Sequence, residues 1–298
     1  TPPLPHPHPP MKPSTRSPAM RHALYPIAAF GGLLIWALGF ALAWPLEAVV
    51  SGWSLAVLAW LGGLERRHPF EPAWQQAHPA DVCTDRCSAL VLLGLVDPLL
   101  KLALPLAALA LWPAASAWQA PLLLQGLLAL LWMELAKYAS HRLHHEWAPL
   151  WRLHALHHSS ERLYWLNNFR FNPLNYALNQ AAALLPLLAL GIRPEALSLA
   201  LAFSLPVLVL QHLNADVRSG LWNRIFSTNE AHRWHHSTRP AEANANYGAA
   251  LLIWDQLFGT YRWPAPGQRP AHIGLFGQGG GYPIHGSYLK QLRVSCCT

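Results

Sequence analysis

Six stretches of the chain stay apolar for about the length of a membrane-crossing helix, each bounded by polar residues or by Pro/Gly punctuation. They run Leu24 to Trp44, Leu46 to Leu64, Ser88 to Trp112, Pro121 to Ser140, Leu174 to Ile192 and Pro194 to Leu213. A bilayer core about 30 Å thick takes roughly 20 helical residues. The pattern therefore predicts an all-α, polytopic membrane bundle forming a single domain over residues 23–298. The second stretch is short, and the third contains Asp97, Pro98 and Lys101, so either can be re-entrant or interfacial. Asp97 and Lys101 stand one helical turn apart and can pair.

The links at Trp44 to Leu46, Trp112 to Pro121 and Gly191 to Pro194 are short enough to make helical hairpins, which sets all three on one side of the membrane. Arg193 is the one basic residue in them. Lys12, Arg16, Arg21, Arg66, Arg67, Arg86, Arg142, Arg152, Arg162, Arg170 and the basic residues from Arg218 onward fall on the other side, which the positive-inside rule assigns to the cytoplasm. Both termini are expected there, together with the segments 141–173 and 214–263 and the tail 264–298. A bacterial inner membrane is the expected location, with the endoplasmic reticulum as the alternative.

Composition agrees: 53% of the 298 residues are hydrophobic and 12% charged, too apolar for an ordinary soluble domain. The net charge of +7 is scattered between apolar stretches and forms no dense run, which argues against a nucleic-acid partner. Cys83, Cys87, Cys296 and Cys297 make no Cys-x-x-Cys motif, so no disulfide framework and no cysteine metal site is expected. Residues 1–22, with Pro2, Pro3, Pro5, Pro7, Pro9 and Pro10, read as a disordered Pro/His-rich segment in which His6 and His8 are incidental. No cleavable signal-peptide layout is expected, since the first apolar stretch is long enough to span.

The chemistry-bearing signal lies in the histidines. His141-Arg-Leu-His-His145 follows the fourth apolar stretch, and His141 and His145 share one helical face. His154-Ala-Leu-His-His158 and His232-Arg-Trp-His-His236 repeat a His-x-x-His-His form. In a helix, positions i, i+3 and i+4 project from one side, so each such group can aim three imidazoles at a shared point. The isolated His22, His68, His78, His272 and His285 read as surface or satisfied residues. Eight or nine neutral imidazoles exceed what one four-coordinate zinc uses, so the count points to two metal ions, although imidazole suits Zn, Cu, Fe and Ni alike. A ferritin-type carboxylate site is excluded, because the sole Glu-x-x-His is Glu65 to His68, and a His-Glu-x-x-His protease motif is absent.

These boxes resemble the fatty acid hydroxylase/sterol desaturase superfamily of membrane proteins, with one His-x-x-x-His followed by two His-x-x-His-His. The likeness extends to Leu150-Trp-Arg-Leu-His-Ala-Leu-His-His-Ser159, to His232-Arg-Trp-His-His-Ser237, and to the stretch from Asn246-Tyr-Gly to Phe-Gly-Thr-Tyr261. In all it spans about Trp132 to Trp263. The resemblance implies a non-haem centre of two iron ions that uses O2 and two electrons from a separate donor of cytochrome-b, ferredoxin or reductase type to hydroxylate or desaturate a lipid. Sterols, fatty acyl chains and related lipids are all substrates of relatives. Carried over residue by residue, it makes ligands of His141, His145, His154, His157, His158, His232, His235 and His236, and of His212 at the end of the sixth stretch. His144 is rotated off the face of His141 and His145. Where many relatives have Arg-x-His-Pro this chain has Arg170-Phe-Asn172-Pro173, and where some have a further histidine it has Asp216, a candidate for a weak or water-mediated ligand.

Trp165, Asn168, Arg170, Asn172 and Trp234 are the candidates for a substrate pocket, with Trp147, Trp151, Tyr164 and Trp222 as further aromatic candidates. An interfacial aromatic belt is the competing reading of the aromatics. No dinucleotide fingerprint or P-loop occurs, and Gly277 to Gly281 reads as a loop. A metal transporter or sensor would need a path of polar residues through the spans, which offer little beyond Asp97, Lys101 and Glu134. A catalytically silent, metal-stabilised scaffold would tolerate decay of the boxes, and all three are intact.

Overall fold

The computed structural model describes residues 18–76, 78–113, 118–265, 268–276 and 281–297. Most of the Pro/His-rich N-terminal segment and most of the Gly277 to Gly281 run lie outside the described residues. Within these residues twelve α-helices follow one another: α1 Pro18–Ala41, α2 Leu46–Arg67, α3 Pro79–Val91, α4 Asp97–Leu111, α5 Leu122–Glu146, α6 Ala148–His158, α7 Pro173–Ala189, α8 Pro194–Leu208, α9 Asn229–His235, α10 Pro240–Ala243, α11 Ile253–Leu257 and α12 Tyr288–Cys297. Among the described residues there are isolated β-bridges but no strand, so the all-α expectation holds.

Among the described residues four helices are long and apolar enough to cross a membrane: His22–Ala41, Leu46–Arg67, Pro79–Leu111 and Leu122–Glu146. The chain is accordingly a membrane protein. Leucines such as Leu34, Leu55, Leu90, Leu109 and Leu123 project outward, 63–74% exposed, as a lipid-facing surface requires.

The helices depart from the expected boundaries in three places. The third does not begin at Ser88. A π-turn at Leu92–Val96 keeps α3 and α4 continuous, so the apolar helix starts at Pro79 and carries Asp81 and Asp85 inward toward the site. The fifth and sixth stretches make the shorter helices α7 and α8, of 17 and 15 residues. The sixth ends at Leu208 and not at Leu213: beyond it the backbone tightens into i→i−3 bonds, from Leu210 N to the Val207 carbonyl at 3.1 Å and from Leu213 N to the Leu210 carbonyl at 3.0 Å, and the Gln211 amide ties the turn to Ser227 Oγ at 2.7 Å and to the Gly248 carbonyl at 3.2 Å. That unwound turn swings His212 inward.

Helices α1, α2, α5 and α8 form the centre, with α7 packed on α5 and α4 on α7. Small residues permit the close crossings. A Cβ on Gly32 would lie 2.0 Å from the Ala202 carbonyl oxygen, which is why α1 and α8 meet there at a glycine. Polar groups within the helices find partners, as a bilayer demands. Trp36 donates to Ser198 at 2.8 Å, and Lys101 pairs with Asp97 at 3.3 Å, as their spacing predicts, and also with Glu47. Gln125 joins two links, donating to the Trp118 and Ala120 carbonyls while its oxygen accepts from Arg193 N at 3.1 Å. Residues 118–121 and the 191–194 link therefore sit together at one end of the bundle, away from the histidines.

Gly32→Val should destabilise the protein by about 1–3 kcal/mol through overpacking, whereas Gly52→Ala, which meets nothing within 4 Å, should be neutral or stabilising. Thermal melting of the two variants in detergent checks both. A Gly32→Val melt unchanged from the parent would refute the close-crossing account.

Candidate metal centre

Four elements converge on the histidines. Helix α5 carries His141 and His145 on its last turns, α6 carries His154, His157 and His158, α9 carries His232 and His235 with His236 at its cap, and the unwound turn after α8 supplies His212. Thr228 starts α9 by accepting a hydrogen bond from Ala231 N at 3.2 Å, a conventional N-cap. Pro149 in the first turn of α6 fits because that position needs no N–H donor.

The imidazoles divide into two groups, each with its candidate ligand atoms within 4.8 Å of one another. One holds His141, His145, His154, His158 and His235, and the other His157, His212, His232 and His236. All but His141 are buried. The groups adjoin, with the rings of His158 and His236 stacked at 4.3 Å.

Six of the nine outward nitrogens are anchored to oxygen acceptors, while Nδ1 of His158, His232 and His236 is buried without a hydrogen-bond partner. His141 Nδ1 donates to the Tyr247 carbonyl at 2.8 Å, His154 Nδ1 to Asn175 Oδ1 at 2.9 Å and His235 Nδ1 to the Ala245 carbonyl at 2.9 Å. His145 Nδ1 donates to Asn244 Oδ1 at 3.2 Å, His157 Nδ1 to the Arg170 carbonyl at 3.2 Å and His212 Nδ1 to Asn167 Oδ1 at 2.9 Å. A ring that donates from Nδ1 presents a bare lone pair at Nε2. His141 and His154 turn two such lone pairs toward each other at 3.0 Å, and His235 Nε2 is buried with no partner at all. Facing lone pairs repel unless a cation lies between them. The donor set therefore fits metal ions, and it is the outer-sphere pattern of acceptors that metal-binding imidazoles require.

Burial enforces the neutral form that ligation needs. It pushes His157 down to about 3, and it pushes His154, His158, His212, His232, His235 and His236 well below the usual imidazole range, with neighbouring imidazoles adding to the effect.

His144 stands outside both groups. It donates from Nδ1 to the Ser140 carbonyl at 2.7 Å and accepts at Nε2 from Asn175 at 2.9 Å, so it steadies the amide that orients His154. Asp216 is likewise not gathered in; it pairs with Arg218 at 3.6 Å.

The five expected pocket residues are engaged by the protein itself. Trp165 packs against the α1–α2 core, and its backbone N donates to Glu65 at 3.0 Å. Asn168 donates to the Leu208 carbonyl, and Asn172 caps α7 at Leu174 N. Arg170 is fully buried, its guanidinium 2.7 Å from Asp81 and 3.2 Å from Asp85. Trp234 lies under the Arg262 guanidinium, beside a cavity of about 200 Å³. The side chains that do cover the imidazoles are Phe171, stacked on His157 at 4.3 Å, and the pair Trp151 and Phe276, stacked on each other at 4.1 Å, with both rings also against His145. Phe171, Phe276, Asn167, Asn175 and Asn244 were not singled out from the sequence. Phe276 stands in no motif, and an asparagine signals its role only once the imidazole beside it is known.

A metal-holding membrane enzyme is the class this site defines, and the comparisons agree. The fatty acid hydroxylase family model matches residues 126–260. The ornithine lipid hydroxylase OlsE of Rhizobium tropici is 37% identical over 233 residues, covering 75% of this chain and 70% of that protein. Alkylglycerol monooxygenases of Danio rerio and Homo sapiens are each 31% identical over 157 and 140 residues, covering 50% and 45% of this chain but 31% and 29% of theirs. No solved structure matches. The chain belongs to the fatty acid hydroxylase family and is an oxidoreductase.

Stability of the metal-free protein should depend on pH with a definite sign. The folded-state value of His157, about 3, lies below the ordinary 6.5, so the unfolded chain takes up the proton first. Its contribution is fully present above about pH 6.5 and is lost toward pH 3, at about 1.4 kcal/mol per pH unit. The other buried imidazoles act in the same direction. Denaturant melts of the metal-free protein should therefore weaken steeply from pH 7.5 to pH 5, and a flat profile over that interval would contradict the burial argument.

Proposed function

We propose that the chain is an integral-membrane, O2-dependent lipid hydroxylase or desaturase whose two imidazole groups each hold one iron ion. The observation that carries the reading is the division of nine imidazoles into a set of five and a set of four, side by side. One zinc ion has no use for so many neutral nitrogens, and a redox-active pair does. Two iron ions held there supply O2 activation, so that a C–H bond, O2, two electrons and two protons give an alcohol and water. The electrons come from a separate protein of cytochrome-b, ferredoxin or reductase type.

The chain's own residues perform the rest. The Nδ1 acceptors fix the imidazole tautomers and ring angles, and Phe171, Trp151 and Phe276 cover the imidazoles with apolar surface that keeps water away. The ends of α5 and α8 bring His141, His145 and His212 to the edge of the apolar bundle, where a lipid can present its substrate bond. The names of the relatives, ornithine lipid and alkylglycerol, favour a substrate with a polar head on an apolar body. By the distribution of Lys and Arg, this end of the bundle and both termini face the cytoplasm. A transporter finds less support, because Asp97, Lys101 and Glu47 are paired with one another, and Glu134 accepts from the Ala250 and Leu251 amides.

The first test is metal analysis of the detergent-purified, iron-replete protein by Mössbauer spectroscopy. A coupled iron pair that is oxidised by O2 is the expected result. A single redox-silent zinc per chain would sink the reading. In a host whose lipids the active protein alters, His157→Ala should abolish the change at unchanged expression, and a persisting product would count equally against it.

A further inference from the structure

One short segment after α9 supplies Nδ1 acceptors to three of the five-imidazole group and to none of the four-imidazole group, although the amide of Gln211, beside His212, donates to the Gly248 carbonyl. Asn244 Oδ1, the Ala245 carbonyl and the Tyr247 carbonyl accept the Nδ1 protons of His145, His235 and His141. No member of the four-imidazole group bonds to it; His157 and His212 are anchored instead by the Arg170 carbonyl and Asn167, in the 167–170 turn. The two halves of the site therefore draw their Nδ1 acceptors from different segments, although α6 and α9 each carry members of both.

The segment is irregular and needs an external hold. Asn246 sits in the left-handed region at φ 56°, and Gly248 is so close to the Leu251 carbonyl that a Cβ there would lie 2.1 Å from it. Buried Asp255 supplies the hold. Its Oδ1 accepts from Tyr247 N at 2.8 Å and from Thr260 Oγ1 at 2.7 Å, and its Oδ2 accepts from Gly248 N at 2.8 Å. From the opposite side, Glu134 on α5 accepts from Ala250 N at 2.7 Å and Leu251 N at 2.8 Å with one oxygen. Three donors converging on two acceptor oxygens require a carboxylate at 255. A carboxamide has one such oxygen and would aim its N–H at another N–H.

We infer that Asp255 is a positioning residue for one metal only: by clamping the Tyr247–Gly248 backbone it orients His141 and sets the affinity of the five-imidazole half independently of the four-imidazole half. The inference rests on the two-metal reading proposed above.

The test is ferrous iron reconstitution of Asp255→Asn, followed by dialysis, metal analysis and Mössbauer spectroscopy, with helix content monitored by circular dichroism. Outer-sphere losses cost metal affinity about 10–100-fold. The expected variant keeps its helices, loses the metal of one half and shows an uncoupled iron in place of the pair. Asn167→Ala, which removes the acceptor from His212, should leave a single iron of a different spectrum. Retention of both irons with the parental spectrum in Asp255→Asn overturns the inference, and so does loss of both irons from a chain with intact helix content. If Asp255→Asn does not fold, Thr260→Val, which removes one hydrogen bond to the same carboxylate, decides. Weakened binding in one half supports the inference, and unchanged binding overturns it. A parent protein that binds no pair defeats the two-metal reading itself, and this inference with it; a normal parent beside an unaffected variant defeats the inference alone.

Discussion

Everything in this protein depends on keeping nine imidazoles neutral and correctly turned inside a dry interior. An imidazole buried without an acceptor for its N–H pays the cost of an unmade hydrogen bond, and one that ionises there costs more. For six of the nine the fold meets the requirement by pointing oxygens at the outer nitrogens: the carbonyls of Arg170, Ala245 and Tyr247, and the amide oxygens of Asn167, Asn175 and Asn244. Those oxygens are in turn held by groups of their own. Arg170 is locked by Asp81 and Asp85, Asn175 by His144, and Tyr247 by Asp255. The helices of the bundle serve as the rigid frame for these anchors.

The same need explains the unusual features of the bundle. The π-turn that joins α3 to α4 brings Asp81 and Asp85 to Arg170. Helix α8 stops short so that His212 can turn inward. Glu134, a carboxylate within the long apolar helix α5, is retained because it binds two amides of the segment behind His141. Ionisable residues inside membrane segments are expensive and are kept for a function or a partner; here they have partners.

What the sequence disclosed is what periodicity and residue type carry. Apolar stretches of bilayer length gave the helices, and His-x-x-x-His and His-x-x-His-His spacings gave eight of the nine clustered imidazoles, because a helix converts such spacing into a shared face. Resemblance added His212. The division into five and four was not legible, since it depends on how four separate elements meet. The acceptors were hidden for a simpler reason: a backbone carbonyl has no residue type. Arg170 and Trp234 stand out in the sequence only by their place beside the boxes; that Arg170 meets two carboxylates and Trp234 a guanidinium was hidden, because those contacts are made across long stretches of chain.

The span between Glu134 and the amides it holds, 116 and 117 residues along the chain, imposes a timetable on synthesis. Helices α5 and α6 leave the ribosome with His141, His145, His154 and His158 already in place, while His235 and the carbonyls that orient His141 and His235 follow about 5–20 s later at roughly 5–20 residues per second. During that interval the first four imidazoles have neither their fifth companion nor their full set of anchors. The long-range contacts close last, as loop-closure entropy dictates. A chain halted before Asp255 would therefore leave a nascent half-site whose histidines are free to turn, open to water and to whatever cation arrives first.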